Sequence, residues 1–124
     1  MHNISFTGRV DPHRFYERSK ILCVTSVHES FSLVTCEAHT HGVVPIVFDS
    51  FKAAPLVVSH GVDGILVKAF RLDQFASELS SLMNDSDKLF KLAAASDYSI
   101  IKFNPNVIFE SWNTLIMGLK KMKK

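Results

Sequence analysis

Between Ile21 and Pro45 the order of apolar and polar positions, ILCVTSVHESFSLVTCEAHTHGVVP, changes its period twice. A short apolar run, Ile21 to Val24, gives way to a polar corner, Ser26 to Ser30. Apolar positions at helical spacing follow as far as Gly42, and a second apolar run starts at Val43. This pattern predicts strand, tight connection, helix, glycine stop and strand, one βαβ unit of about 30 residues. Glu29 falls just past the strand tip and Glu37 about two turns into the helix. Both are expected to face the crevice outside the carboxyl ends of the strands, where open α/β sheets bind ligands.

The same reading extends along the chain. Asn3 to Thr7 alternates and ends at Gly8, which predicts a short strand. Asp11 and Pro12 read as N-cap and first residue of a short helix that buries Phe15 and Tyr16. Lys20 to Thr25, apolar on both faces, is expected to be a central strand. Ser30 or Ser32 is expected to cap the next helix with its hydroxyl, and Phe31, Val34 and Ala38 share a face. Val43 to Phe48 predicts a third strand, which tolerates Pro45 near its beginning or where an N–H is not needed. Asp49 to His60 is less regular, with one helical turn from Pro55 to Val58. Gly61-Val62-Asp63-Gly64 is a turn, and Ile65 to Val67 a fourth strand. Leu72, Phe75, Ala76, Leu79, Leu82 and Met83 follow helical spacing. Asp85 or Ser86 caps a further helix to about Ser96. Asn104 and Pro105 open the last helix, whose apolar stripe is Ile108, Trp112, Leu115, Ile116 and Leu119. The whole is an α/β fold, a Rossmann-like parallel sheet of about four strands flanked by helices.

Composition narrows the function classes. With 124 residues, 47% hydrophobic and 21% charged, the chain reads as one globular domain. A formal charge of +2 is too small to argue for nucleic acid. The excess sits in the C-terminal lysines, Lys120, Lys121, Lys123 and Lys124. Cys23 and Cys36 lie in apolar patterns without metal-ligand spacing and read as buried, reduced thiols, which favours a cytoplasmic protein. No signal peptide and no membrane-span-length apolar run is present in the sequence.

The run Glu29-Ser30-Phe31-Ser32-Leu33-Val34-Thr35-Cys36-Glu37-Ala38, followed by Gly42 and Pro45, resembles the Glu-x₇-Glu signature of retaining glycosyltransferases. These nucleotide-sugar enzymes have the GT-B architecture, two Rossmann-like domains facing a cleft. The likeness covers about residues 3 to 117 and includes NISFTGRV, VSHGVDGILV and the helix around Trp112 and Leu115. It implies that residues 1–124 form the distal part of a C-terminal, donor-binding GT-B domain, with 104–124 as a final helix and lysine tail. The implied reaction moves a hexose, with retention, from a nucleoside diphosphate sugar to an acceptor alcohol, in polysaccharide or glycoconjugate synthesis. No metal or other cofactor is implied. Glu29 would be the catalytic residue and hold hydroxyls of the donor sugar; Glu37 would hold the ribose hydroxyls. Carboxylates suit both tasks because each accepts strongly from paired hydroxyls. Ser30, Phe31, Ser32, Leu33 and Val34 would complete the donor site, the backbone N–H groups of Phe31 to Val34 meeting the diphosphate.

The resemblance also sets expectations about what is absent. Ser30 and Ser32 stand where the family often has glycines, and the family's diphosphate-binding Arg and Lys precede the start of this chain, as does its acceptor domain. In the family's strand order, 3-2-1-4-5-6, Ile4 to Thr7 corresponds to the third strand and Lys20 to Thr25 to the fourth. Lys20 to Thr25 therefore either pairs directly with the first strand or leaves an open edge, and self-association is expected in the second case.

Simpler readings stand beside these. The two glutamates could be solvated surface acids, and the chain a non-catalytic Rossmann-like module that binds nucleotide weakly or only associates with a partner. A flavodoxin-like regulatory domain is weaker, because no acidic cluster falls at the strand ends. His28 could touch a phosphate or sugar or have no role. His39 and His41 fall on different helix faces and do not read as a metal pair. His60 borders a turn and Asp63 forms it. Thr25 and Ser26 have no nucleophile elbow around them. Phe103, Phe109 and Trp112 read as packing rather than a sugar platform. The lysine tail, Lys120 to Lys124, reads as solubilising, with weak attraction to anionic lipid as the alternative.

Overall fold

A computed structural model describes residues 3–122 of the chain, without the side chains of Asp97, Lys121 and Met122. Lys123 and Lys124, the last two of the four tail lysines, lie outside the described residues. Three strands, β1 (Ile21–Val24), β2 (Val44–Asp49) and β3 (Ile65–Lys68), form one parallel sheet in the order β1-β2-β3. Six helices accompany them: α1 (His13–Tyr16), α2 (Leu33–Thr40), α3 (Ala54–Val57), α4 (Leu72–Asn84), α5 (Ser86–Ile101) and α6 (Pro105–Met122).

The central strand explains the layering. Residues 43–48 are all buried, so β2 is apolar on both faces and needs cover on each. Val44, Ile46 and Phe48 pack with Ile65 and Val67 against Phe75 and Leu82 of α4 and Leu92 of α5. Val47 points the other way, into a second cluster with Val24, Phe51, Ala53, Ala54, Val57 and Val58. Pro45 is tolerated because it lies opposite Leu22 of β1, before the pairing with β3 begins at Ile46 and Ile65. Gly64 makes room beside it: a Cβ there would stand 2.7 Å from the Pro45 carbonyl oxygen.

Several sequence expectations require correction. Residues 3–10 form no strand, and Phe6 is 98% exposed. With no neighbouring strand to take its backbone groups, alternation alone does not order this segment. The described sheet therefore has three strands rather than about four. Lys20 to Thr25 is not central either: β1 forms an edge of the described sheet, with Cys23 exposed. Cys36 is only half-buried, so neither thiol is the buried core group expected. In α1, Tyr16 is buried but Phe15 is not. Leu72 and Met83, at the ends of α4, are exposed while Phe75 and Leu82 carry its packing. Helix α5 runs on past Ser96 to Ile101. Helix α6 forms as expected, but the stripe Ile108, Trp112, Leu115, Ile116 and Leu119 is exposed throughout. Phe109 is exposed with them, whereas Phe103 packs edge-on against Phe31.

Helix ends follow the sequence more closely. Asp85 Oδ1 accepts from the Lys88 N–H at 2.9 Å and Asn104 Oδ1 from the Asn106 N–H at 2.9 Å. Asp11 Oδ1 accepts from the His13 N–H at 3.1 Å. At the end of α2, Gly42 takes φ 66°, its N–H bonds the His39 carbonyl, and the Val43 N–H bonds the Ala38 carbonyl. That pair of bonds is a Schellman motif, which needs the left-handed residue glycine supplies.

Candidate functional site

Helix α2 starts from the loop that leaves the carboxyl end of β1, so its first turn sits at the rim of the sheet. Glu29 lies in that loop, half-buried; Ser30 is exposed and Phe31 half-buried. Ser32 occupies the N-cap position, but not in the expected way. It takes φ 69° and ψ 67°, and its hydroxyl makes no bond to the helix N–H groups. Its Oγ instead lies 2.9 Å from Thr35 Oγ1, with both residues buried. Ser30 does not cap the helix either. The left-handed region costs a non-glycine residue about 1–2 kcal/mol, offset in part by that buried hydroxyl pair. The first-turn N–H groups are thus left without a side-chain cap, and the positive end of the helix dipole faces the rim.

The face that α2 buries is Thr35, Ala38 and His39, not Phe31, Val34 and Ala38; Val34 is exposed, as is Leu33. Glu37 is half-buried one turn beyond Leu33, and its Oε2 accepts from the Tyr16 hydroxyl at 3.1 Å. The same hydroxyl lies 3.4 Å from the Val34 carbonyl oxygen. Burial, then the bond to and charge of Glu37, push the Tyr16 phenol up to about 12. Tyr16 remains a neutral donor and holds the carboxylate in one orientation.

Phe31, Leu33 and Glu37 come together with Cys36, Thr40 and the α5–α6 junction around a cavity of about 630 Å³. Glu29, Ser30, Ser32 and Val34 do not line it. His28 is exposed; His41 is exposed at the end of α2, its Nδ1 bonded to the Glu37 carbonyl oxygen at 2.8 Å.

Three residues beyond the expected set hold this region in place. Tyr16 was readable only as core, although a buried tyrosine commonly brings its hydroxyl to a partner. His39 is 1% exposed; its Nε2 meets the Val57 carbonyl oxygen and its Nδ1 the Ser96 hydroxyl, each at 3.1 Å. Burial holds its pKa below the ordinary histidine value, against a counteracting pull from Asp63. Asp63 forms the expected turn but is fully buried, accepting from the Ser59 N–H at 2.8 Å and from the Ser99 hydroxyl. His60, beside it, accepts from the Leu66 N–H through Nδ1 at 3.0 Å. The signal for His39 was a polar residue on the same helical face as Ala38.

No described helix is long and apolar enough to cross a membrane. Among known structures, the chain is similar to sucrose-phosphate synthase from Thermosynechococcus elongatus, with a TM-score of 0.80 at 21% identity over 95% of this chain and 30% of that one. It is similar also to Anabaena HepE in complex with UDP-glucose, with a TM-score of 0.69 at 21% identity over 86% of this chain and 30% of that one. At such identities the likeness establishes the fold. A D-inositol 3-phosphate glycosyltransferase of Thermobispora bispora is 34% identical over 82 residues, which are 66% of this chain and 19% of the relative. The chain thus spans about a fifth of that relative's length. Residues 1–97 match the family described as Glycosyl transferases group 1, and the chain belongs to that family.

Proposed function

We propose that this chain supplies the donor-binding surface of a retaining hexosyltransferase that takes a nucleoside diphosphate sugar and needs no metal ion. The observation that carries the reading is the first turn of α2, which follows the carboxyl end of β1 and has no side-chain cap, with Glu29 in the loop before it and Glu37 one turn after it. Glu37, oriented by Tyr16, accepts from the ribose hydroxyls, and Glu29 from the hydroxyls of the transferred sugar. The N–H groups of Leu33 and Val34 meet the diphosphate, with the small residues Ser30 and Ser32 allowing close approach. As the glycosidic bond to the donor breaks, negative charge grows on the leaving nucleoside diphosphate, and fixed N–H dipoles stabilise it without reorganising. The solved relative whose complex contains UDP-glucose supports a nucleotide-sugar donor. The acceptor alcohol and the rest of the cleft would come from outside these residues, so the chain by itself is expected to bind donor and not to complete transfer.

The test separates the two carboxylates. Glu37→Ala should weaken binding of the free nucleotide, and Glu29→Ala should reduce transfer in the longest protein carrying this segment more than it reduces nucleotide binding. Each charge-assisted hydrogen bond lost should cost on the order of 1.5–3 kcal/mol. Calorimetric titration with nucleotide and nucleotide sugar, alongside turnover, reads both effects; unchanged affinity and turnover in both variants would sink the assignment.

A further inference from the structure

Two buried ionisable side chains lie outside the donor-binding reading, and both reach α5 through a serine. His39 of α2 meets Ser96, and Asp63 of the turn before β3 meets Ser99. Ser96 and Ser99 are one turn apart, so a single face of α5 is tied at two adjacent points. The chemistry of the first tie fixes its protonation. The Val57 carbonyl can only accept, so His39 Nε2 carries a proton and donates to it. In the neutral ring Nδ1 is then the acceptor, and the Ser96 hydroxyl donates. One imidazole thereby joins α2, the end of α3 and the middle of α5.

We infer that His39 is an acid-sensitive latch, which in its neutral form fastens α5 to α2 and α3 and on protonation loosens that seam. A second proton must enter at Nδ1, turning it from acceptor to donor. Ser96 must then accept and redirect its own hydrogen to the Leu92 carbonyl, 3.5 Å away, a long bond. The charge also arises in a site almost without solvent, where an unpaired cation is costly. Among the described side chains, the charged groups around the ring do not cancel this cost. Helix α3 and the buried part of β2 bring none, Asp63 from the turn favours the cation and Lys102 from the end of α5 opposes it. Asp63 is in any case already engaged by Ser59 and Ser99. Glu37 and His41, on or next to α2, are respectively half-buried and exposed, and neither bonds the His39 ring. The folded imidazole thus binds its second proton less readily than the unfolded one. The latch contributes fully above roughly pH 6.5 and weakens as the pH falls below that value. Helix α2 carries Glu37, so acidification loosens the scaffold of the donor surface as well.

Amide hydrogen exchange of the complete chain, expressed as protection factors between pH 7.5 and 5.0, tests the latch. Protection in α5 around Ser96 should fall by about tenfold or more over that range. His39→Gln keeps a donor for Val57 and an acceptor for Ser96 without titrating, and should hold protection nearly constant. The other histidines are the same in both proteins, so whatever they contribute cancels in the comparison. A wild type with pH-independent α5 protection, or a His39→Gln protein with the same fall, overturns the latch. Should His39→Gln fail to fold, the wild-type His39 ring resonances decide. A midpoint below the ordinary histidine value, with α5 protection falling from about pH 6.5 towards that midpoint, supports the inference; a midpoint at or above the ordinary value, or protection that does not fall over that interval, overturns it.

Discussion

Of the five glycine-to-alanine changes, Gly64→Ala should be the most damaging, and the reason lies in contacts rather than in backbone freedom. A Cβ built at Gly64 stands 2.7 Å from the Pro45 carbonyl oxygen, 2.8 Å from Pro45 Cγ and 2.9 Å from Val58 Cγ1. Carbon atoms rest comfortably at about 3.5 Å or more, so the deficit is roughly 0.7 Å. The first two atoms belong to a carbonyl and a proline ring in the central strand, and neither can swing away. Relief therefore requires the start of β3 to move off β2, which disturbs the pairing that begins at Ile46 and Ile65. Overpacking of this kind costs about 1–3 kcal/mol, and immobile neighbours place Gly64→Ala near or above the upper end. For a domain of this size that corresponds to a fall in Tm of roughly 8–12 °C. Gly61→Ala is the control. Its φ is 76° with nothing within 4 Å of the added Cβ, so only the left-handed penalty applies, about 1 kcal/mol. Urea unfolding of both variants measures the difference directly. If Gly64→Ala proves no more destabilising than Gly61→Ala, the close approach of turn and strand is not what fixes the glycine.

Ser32→Ala and Ser32→Gly both lose the bond to Thr35, but only alanine keeps the left-handed penalty. Ser32→Ala should therefore be less stable than Ser32→Gly by about 1 kcal/mol in chemical denaturation, and equal stabilities would refute the strained reading of Ser32. The open edge of β1 and the exposed apolar stripe of α6, where Trp112 is 61% exposed, should make the chain associate as its concentration rises. Sedimentation velocity over a hundredfold concentration range reads this, and a monomer independent of dilution would show the idea wrong.

The elements that could be read from sequence were those whose evidence is local. The βαβ order around α2, the stop at Gly42, the turn at Gly61 to Gly64 and the caps at Asp85 and Asn104 each rest on residues within a few positions of one another. What sequence could not supply was the neighbour. Asn3 to Thr7 alternates like a strand, but strand formation needs a partner's backbone, and none of the described residues provides it. Lys20 to Thr25 is apolar on both faces like a central strand, but its hydrogen-bonding position depends on the other strands. The stripe of α6 is regular enough to predict the helix and says nothing of what covers it. In the candidate site the resemblance pointed to Glu29, Glu37 and Ser30 to Val34, of which the structure brings Phe31, Leu33 and Glu37 around one cavity. The partners of that set were hidden because they come from elsewhere: Tyr16 from α1, Ser96 and Ser99 from α5. The burial of His39 and Asp63 is a consequence of those distant contacts.

The left-handed Ser32 connects these observations to the proposed chemistry. An N-cap serine in extended geometry would turn its hydroxyl onto the N–H groups of the second or third helical residue and satisfy them internally. A ligand anion would then have to displace that bond. In this chain Ser32 Oγ is occupied by Thr35 Oγ1 and the backbone is held in the strained region, so the hydroxyl caps none of the first-turn N–H groups, of which that of Thr35 bonds the Ser32 carbonyl oxygen at 3.1 Å. The helix forgoes a capping contribution of about 1 kcal/mol and carries a strain of similar size. The turn that follows leaves Leu33 and Val34 exposed. A helix start that is poorer for stability but open to an anion is expected where a ligand, not a side chain, completes the cap. Glycine at this position would reach the same backbone without strain. Serine reaches it with its hydroxyl bonded to that of Thr35, one turn on, which offsets part of the strain.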